Sequence, residues 1–251
     1  MPHERHIRVQ TRYAPALDLP PPFRLVTLRE VGDAFNHARI HAAALGAGTL
    51  VSVGRFDVAE FAVVLEPDEA LASAWRALYA AMVALADALA TIAPPGKPIV
   101  IEWPDAIRVD GGLVGGGRLA WPDGADEAVP PPWLVFGAMI RMVTMAGDAS
   151  GVRPLASALE HEGFGDAGSD RLVESFARHL MRVIDHWREA GFAAIADNYV
   201  SRLERIEGVR HSIGDNGELL VRPIGKPVRR HRLKSKLIVP SWLDPHGGGP
   251  G

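Results

Sequence analysis

The chain has 251 residues, of which 47% are apolar and 23% charged, and its formal charge is −3. That balance suits one large globular domain, or a main domain with a small appendage, and excludes a disordered chain or whole-protein attraction to nucleic acid. Cysteine is absent, which excludes disulfides, thiolate metal sites, thiol nucleophiles and thiol redox chemistry.

Residues 1–22 end in Pro20-Pro21-Pro22 and read as an extended lead-in. They lack an apolar run behind a basic start, so no secretory signal is expected. The pattern predicts a helix over 28–45, stopped by Gly46 and Gly48, then short strands at 49–53 and 61–65. Over 69–92, Leu71, Trp75, Leu78, Met82, Leu85 and Leu89 recur at three- and four-residue steps, the mark of a buried helical face. Arg76, Asp87 and the many alanines make this an internal helix, not a membrane span, so a cytoplasmic protein with no membrane partner is expected.

Strands are predicted at 99–103, 106–109 and 113–121, the last two joined by a tight Asp110-Gly111 turn. The apolar run 133–143 suits a buried central strand. Helices follow at 169–190, with Ser169 as N-cap and Gly191 as C-terminal stop, and at 193–206. After Gly208, short strands at 209–213, 218–221 and 228–233 form a small β unit. The expected organisation is therefore a lead-in (1–22), a main α+β domain with a mixed sheet packed by helices (23–206), and a small β domain with a basic, partly disordered tail (207–251).

The most informative stretch is Ile101 to Trp121, IEWPDAIRVDGGLVGGGRLAW. Gly111 and Gly112 serve the turn. Gly115, Gly116 and Gly117 sit inside a predicted strand, where three glycines sacrifice packing and cost conformational entropy. The usual gain is space for a ligand or another backbone. A phosphate loop would need a helix next, and Leu119-Ala120-Trp121-Pro122 does not start one.

Here the sequence resembles the biotin/lipoate protein ligase superfamily. Trp103-Pro104-Asp105-Ala106, followed by the turn and Gly115-Gly116-Gly117, is similar to that family's Lys-Trp-Pro-Asn-Asp and Lys-x-Ala-Gly-Ile strands. Asp33-Ala34-Phe35-Asn36 resembles its Asp-Ser-Thr-Asn, Gly46-Ala47-Gly48-Thr49 its Gly-Thr strand entry, and residues 135–141 its Gly-Ile-Gly-Ile-Asn strand. Residues 187–192 resemble its last helix, and 213–220 its C-terminal β domain. The resemblance implies a ligase-like fold, related to class II aminoacyl-tRNA synthetases, with an SH3-like C-terminal domain. It also implies formation of an acyl-adenylate from a small carboxylic acid, with ATP and Mg²⁺ as cofactors and a biotinyl- or lipoyl-type carrier domain as acceptor.

The sequence departs from that family where the chemistry is done. Leu113 replaces the lysine of the third strand, Ala106 the second acid, and Arg141 the strand asparagine. Ala34 and Phe35 replace the hydroxyls that the family uses on biotin, and the basic glycine loop shrinks to Gly54-Arg55-Phe56-Asp57. Each lost donor at a buried polar headgroup costs about 1–3 kcal/mol. Arg55, Asp105, Arg118 and Arg141 are the candidate catalytic charges, and Asn36, Trp103, Pro104, Gly115, Gly116 and Gly117 the candidate ligand contacts. Two classes of function fit: a divergent ligase or acyltransferase, and a non-catalytic ligand- or carrier-binding protein on the same scaffold.

Other polar residues read more plainly. His37 and His41 have zinc-compatible spacing but no third ligand, so no metal is expected. His161, Glu162, His179, Asp185 and His186 read as solvated helix faces, and Ser150 and Ser169 lack a nucleophile's surroundings. Residues 222–236 carry seven cations and no acid. Without an aromatic to stack bases, the run reads as charged outer faces that discourage edge association, and a nucleic-acid partner is not expected.

Overall fold

The structure, a computed structural model, describes residues 17–144, 156–165, 167–244 and 249–250. Ser150 lies outside them, as does most of the lead-in.

Seven strands form one sheet: β1 (Arg24–Leu28), β2 (Thr49–Val53), β3 (Val58–Leu65), β4 (Ile99–Glu102), β5 (Ala106–Val109), β6 (Gly112–Ala120) and β7 (Leu134–Arg141). Their order is β1-β2-β3-β7-β6-β5-β4, antiparallel except for the β1/β2 pair. That parallel pair needs a crossover, which α1 (Ala34–Leu45) supplies. The helix predicted over 28–45 therefore starts later: Leu28 ends β1, and residues 29–33 form a turn before the helix. The reason is local: the Asp33 carboxylate accepts the Asn36 N–H at 2.7 Å and caps the helix there.

β3 and β7 lie at the centre with both faces covered, so nearly every residue of each is buried. This is why 133–143 reads as a continuous apolar run instead of an alternating one. The Asp110-Gly111 turn forms with positive φ at both residues, 48° and 85°, as a type I′ hairpin requires.

One face of the sheet carries α2 (Leu71–Ala74), α3 (Ala77–Ile92), α4 (Ser169–Ala190) and α5 (Phe192–Ser201) over the main core. The predicted helix 69–92 breaks in two at Trp75 and Arg76. The span Leu71–Ile92 is long and apolar enough to cross a membrane, yet two thirds of it is buried inside the protein. Gly168, not Ser169, is the N-cap of α4, because the Ser169 hydroxyl is turned to the Arg55 carbonyl at 3.1 Å. The other face is only partly covered, by α1 over β2, β3 and β7.

A three-stranded antiparallel sheet follows: β8 (Val209–Ile213), β9 (Leu219–Pro223) and β10 (Arg229–His231). Leu219 and Val221 join the main core, and Tyr79 of α3 fastens the unit. Its hydroxyl donates to the Gly217 carbonyl at 2.7 Å and accepts from the Trp103 indole at 3.1 Å. The basic run is neutralised in part by the protein's own acids: Arg230 and Arg232 face Glu218, and Lys234 pairs with Glu127. Beyond it, Leu237 and Trp242 are buried, and Trp242 and Leu243 pack back against the main sheet.

Tyr79→Phe removes both bonds and strands a buried carbonyl and an indole N–H. It is expected to lower stability by about 2 kcal/mol, read as an earlier urea midpoint, with faster amide exchange concentrated in β8 and β9.

Candidate functional site

The partly open face of the sheet holds the residues singled out by the sequence. Register aligns Glu60, Met139, Gly116 and Ala106 in one row across β3, β7, β6 and β5, with Ala62, Gly137 and Arg118 in the next row towards α1. Directly paired residues share a face, so these rows form one floor. Val58 and Arg141 make a third row.

The three glycines are used in three different ways. Gly115 (φ 145°) lies at a register shift between β5 and β6, and a Cβ there would sit 1.9 Å from the Met139 carbonyl oxygen. Gly117 faces the helices, where a Cβ would strike the Phe136 ring at 2.5 Å and Met82 at 2.8 Å. Only Gly116 belongs to the open floor, and a Cβ there would meet the Asp105 carbonyl oxygen at 2.0 Å and the Trp242 ring at 2.4 Å. An open hollow along 115–117 is thus not what the structure contains. The space is filled by backbone, by core side chains and by Trp242 of the C-terminal tail. Gly137 is matched in the same way by Phe35, 2.5 Å from a Cβ built there.

The charges around this floor are already paired. Arg55 grips Asp57 through two bonds, at 3.0 and 2.6 Å, and lies 3.7 Å from Glu60. That grip holds Asp57 below the usual carboxylate range and raises Arg55. Arg118 lies 3.6 Å from Asp33 and stacks 4.0 Å over the Phe35 ring. Burial lowers its pKa, while Asp33 and Glu60 oppose that shift. Glu60 is 2% exposed and accepts the Ala34 N–H at 2.8 Å, and burial pushes its carboxyl upward. Asp33 and Glu60 therefore occupy the N-terminus of α1, the part of the site best suited to an anion. Arg141 donates to the Pro250 carbonyl.

The remaining candidates separate. Asp105 is 3% exposed and accepts the Ser241 hydroxyl at 2.6 Å and its backbone N–H at 3.3 Å. Burial raises its pKa to about 6 against the effect of those bonds. Pro104 gives its carbonyl to buried Tyr199 at 2.8 Å. Trp103 turns to Tyr79 and to His231, its ring 5.8 Å from the imidazole, and so ties the small sheet to the core. Asn36 is exposed on the first turn of α1, its side chain taking a bond from Arg39. The His37 and His41 rings lie 4.6 Å apart.

Sequence reasoning missed Glu60, Asp33 as an ionic partner, and Ser241 with Trp242. Glu60 had a signal: it is the lone acid in VAEFAVVL. A tryptophan beyond a basic run, between Pro240 and a glycine-rich end, was another. Elsewhere, a cleft of about 910 Å³ lies on the helical side, lined by Phe23, Ala77, Leu180, Ile184 and Trp187 with Glu66, Asp68 and Asp185, away from these residues.

A family model for biotin/lipoate A/B protein ligases matches residues 19–201. No curated protein matches the sequence. Among solved structures, a biotin protein ligase-like protein of unknown function from a Silicibacter species superposes with a TM-score of 0.76 at 27% identity, covering 89% of this chain and all of its own. The biotin protein ligase of Aquifex aeolicus superposes at 0.62 with 16% identity, over 83% of this chain and 100% of that one. The Leishmania major biotin protein ligase in complex with biotinyl-5-AMP gives 0.54 at 15%, over 84% and 99%. The last two likenesses concern the fold alone.

The raised pKa of Asp105 has a consequence for stability. Between its ordinary value of 3.8 and about 6, the unfolded chain loses this proton first. The stability owed to the neutral carboxyl is complete below 3.8 and is lost as pH rises to about 6, by about 3 kcal/mol in all. Relative to Asp105→Asn, the unsubstituted protein should become progressively less stable from pH 4 to 6.5, measured by urea unfolding at each pH.

Proposed function

The chain belongs to the biotin/lipoate A/B protein ligase family, and from that premise we propose that it is a ligand-binding protein that does not form an acyl-adenylate. The observation that carries this reading is the pairing of the charges. Adenylation needs cations or a metal beside the phosphates and free donors for the carboxylate being activated. Arg55 and Arg118 are neutralised by Asp57, Glu60 and Asp33, three carboxylates to two guanidinium groups. Leu113 stands where the resemblance implies a lysine, and it packs beside the Trp242 cluster.

ATP and Mg²⁺ do not fit this donor set. The carboxylates Asp33, Asp57 and Glu60 already serve arginines or the N-terminus of α1, Arg55 and Arg118 serve those carboxylates, and Arg141 donates to the Pro250 carbonyl. The Aquifex ligase has been crystallised with biotin and ATP; in this chain we derive no step through either. The paired charges, and the apolar surface of Val58, Ala106 and Met139 that now holds Trp242, favour a small uncharged ligand over a carboxylic acid.

ATP–pyrophosphate exchange tests the proposal with biotin, lipoate and octanoate as substrates. No exchange above background is expected, and exchange with any one of them overturns the reading. Melting with Mg-ATP gives a second check. A site loaded at 100 times its dissociation constant gains about 2.7 kcal/mol, whereas no upward shift is expected here.

A further inference from the structure

The tail beyond the small sheet reaches the open floor by a distinctive route. Leu237 is buried in the main core, Ile238 and Val239 are 77% and 72% exposed, and Trp242 is then 1% exposed. Its ring rests on Gly116 among Val58, Ala106 and Met139, and its indole N–H donates to the Gly117 carbonyl at 2.8 Å. Beside it, Ser241 is held by Asp105. Two large apolar residues in water on one side, and a buried aromatic on the other, describe a strap anchored at both ends and weakly held between them.

The site that receives Trp242 belongs to the sheet. Gly116, Ala106 and Met139 share one row across β6, β5 and β7, with Val58 of β3 in the adjoining row, and sheet register sets their places whether or not the tail is present. The Gly117 carbonyl is bonded by the indole, so the floor offers a flat apolar surface with one acceptor at its edge and a second, Asp105, beside it. We infer that Ser241 and Trp242 are an intramolecular occupant of the ligand site, and that the molecule they stand in for is a flat, apolar ring carrying an N–H donor. This rests on the reading above that the floor binds a ligand. The tail then sets the ligand's apparent affinity, since binding must wait for the fraction of molecules in which the strap is open.

Two measurements on the full chain test the inference. In the unsubstituted protein, the Trp242 indole N–H should exchange with solvent at least 100-fold faster than the slowest amides of β7, because the strap opens without global unfolding. Equal protection would make Trp242 an ordinary core residue and overturn the inference. In Trp242→Gly, indole should bind with a dissociation constant below 1 mM, on the order of −4 kcal/mol, and at least tenfold more tightly than to the unsubstituted chain. A folded variant that binds no indole overturns the inference too. Should that variant not fold, proton exchange decides alone. Neither measurement contains ATP, so the plug and the absence of adenylation fail independently. Pyrophosphate exchange appearing only in Trp242→Gly would uphold the plug and overturn the proposed function.

Discussion

The close approach of protein to Gly116 is the constraint on which the rest of the site depends. The Asp105 carbonyl oxygen and the Trp242 ring both stand where a Cβ would be. Any side chain at this position would push β5 away from β6 or expel the tail. The missing side chain lets three layers meet within van der Waals distance: β5, the floor of β6, and the strap. Close packing then makes the neighbours interdependent, because protein interiors tolerate neither overlap nor void. Met139 and Val58 complete the contact from β7 and β3, and Ser241 locks the strap to the carboxyl of Asp105.

Electrostatics reinforce this arrangement. Two arginines and three carboxylates around the start of α1 satisfy one another, and burial of Glu60 and Arg118 makes loss of their partners costly. A ligase scaffold that handles phosphates must keep cations available until a ligand arrives. This chain instead spends the N-terminus of α1 on Asp33 and Glu60. Phe35 adds to the effect, since it fills the space above Gly137 and stacks under Arg118.

Much of the fold was legible because it follows from local pattern. The Asp110-Gly111 hairpin, the buried run of β7, the glycine stop at Gly191 and the amphipathic face of α4 each have a cause within a few residues. The errors were local competitions. Strand β1 went unpredicted, with Leu28 read as the start of the helix, because a five-residue strand carries too short a pattern, and the Asp33 cap sets the true helix start. Ser169 was displaced from its capping role by a carbonyl 114 residues away. The triple glycine was recognised as a site of close approach, but what approaches it was not legible. Gly115 and Gly117 answer to Met139, Phe136 and Met82, and only Gly116 answers to the open face.

By itself, then, the sequence determined the family, the mixed sheet packed by helices and the order of its elements. All of these are written in spacing and residue type. Tertiary structure alone decided which arginines are neutralised, which glycine faces the floor, and that a tryptophan near the end of the chain covers it. The physical reason is range. Periodicity and turn chemistry act over a few residues, whereas the contacts of Trp242 with Gly116 and of Ser241 with Asp105 join residues more than a hundred positions apart, brought together only after the sheet has set its register.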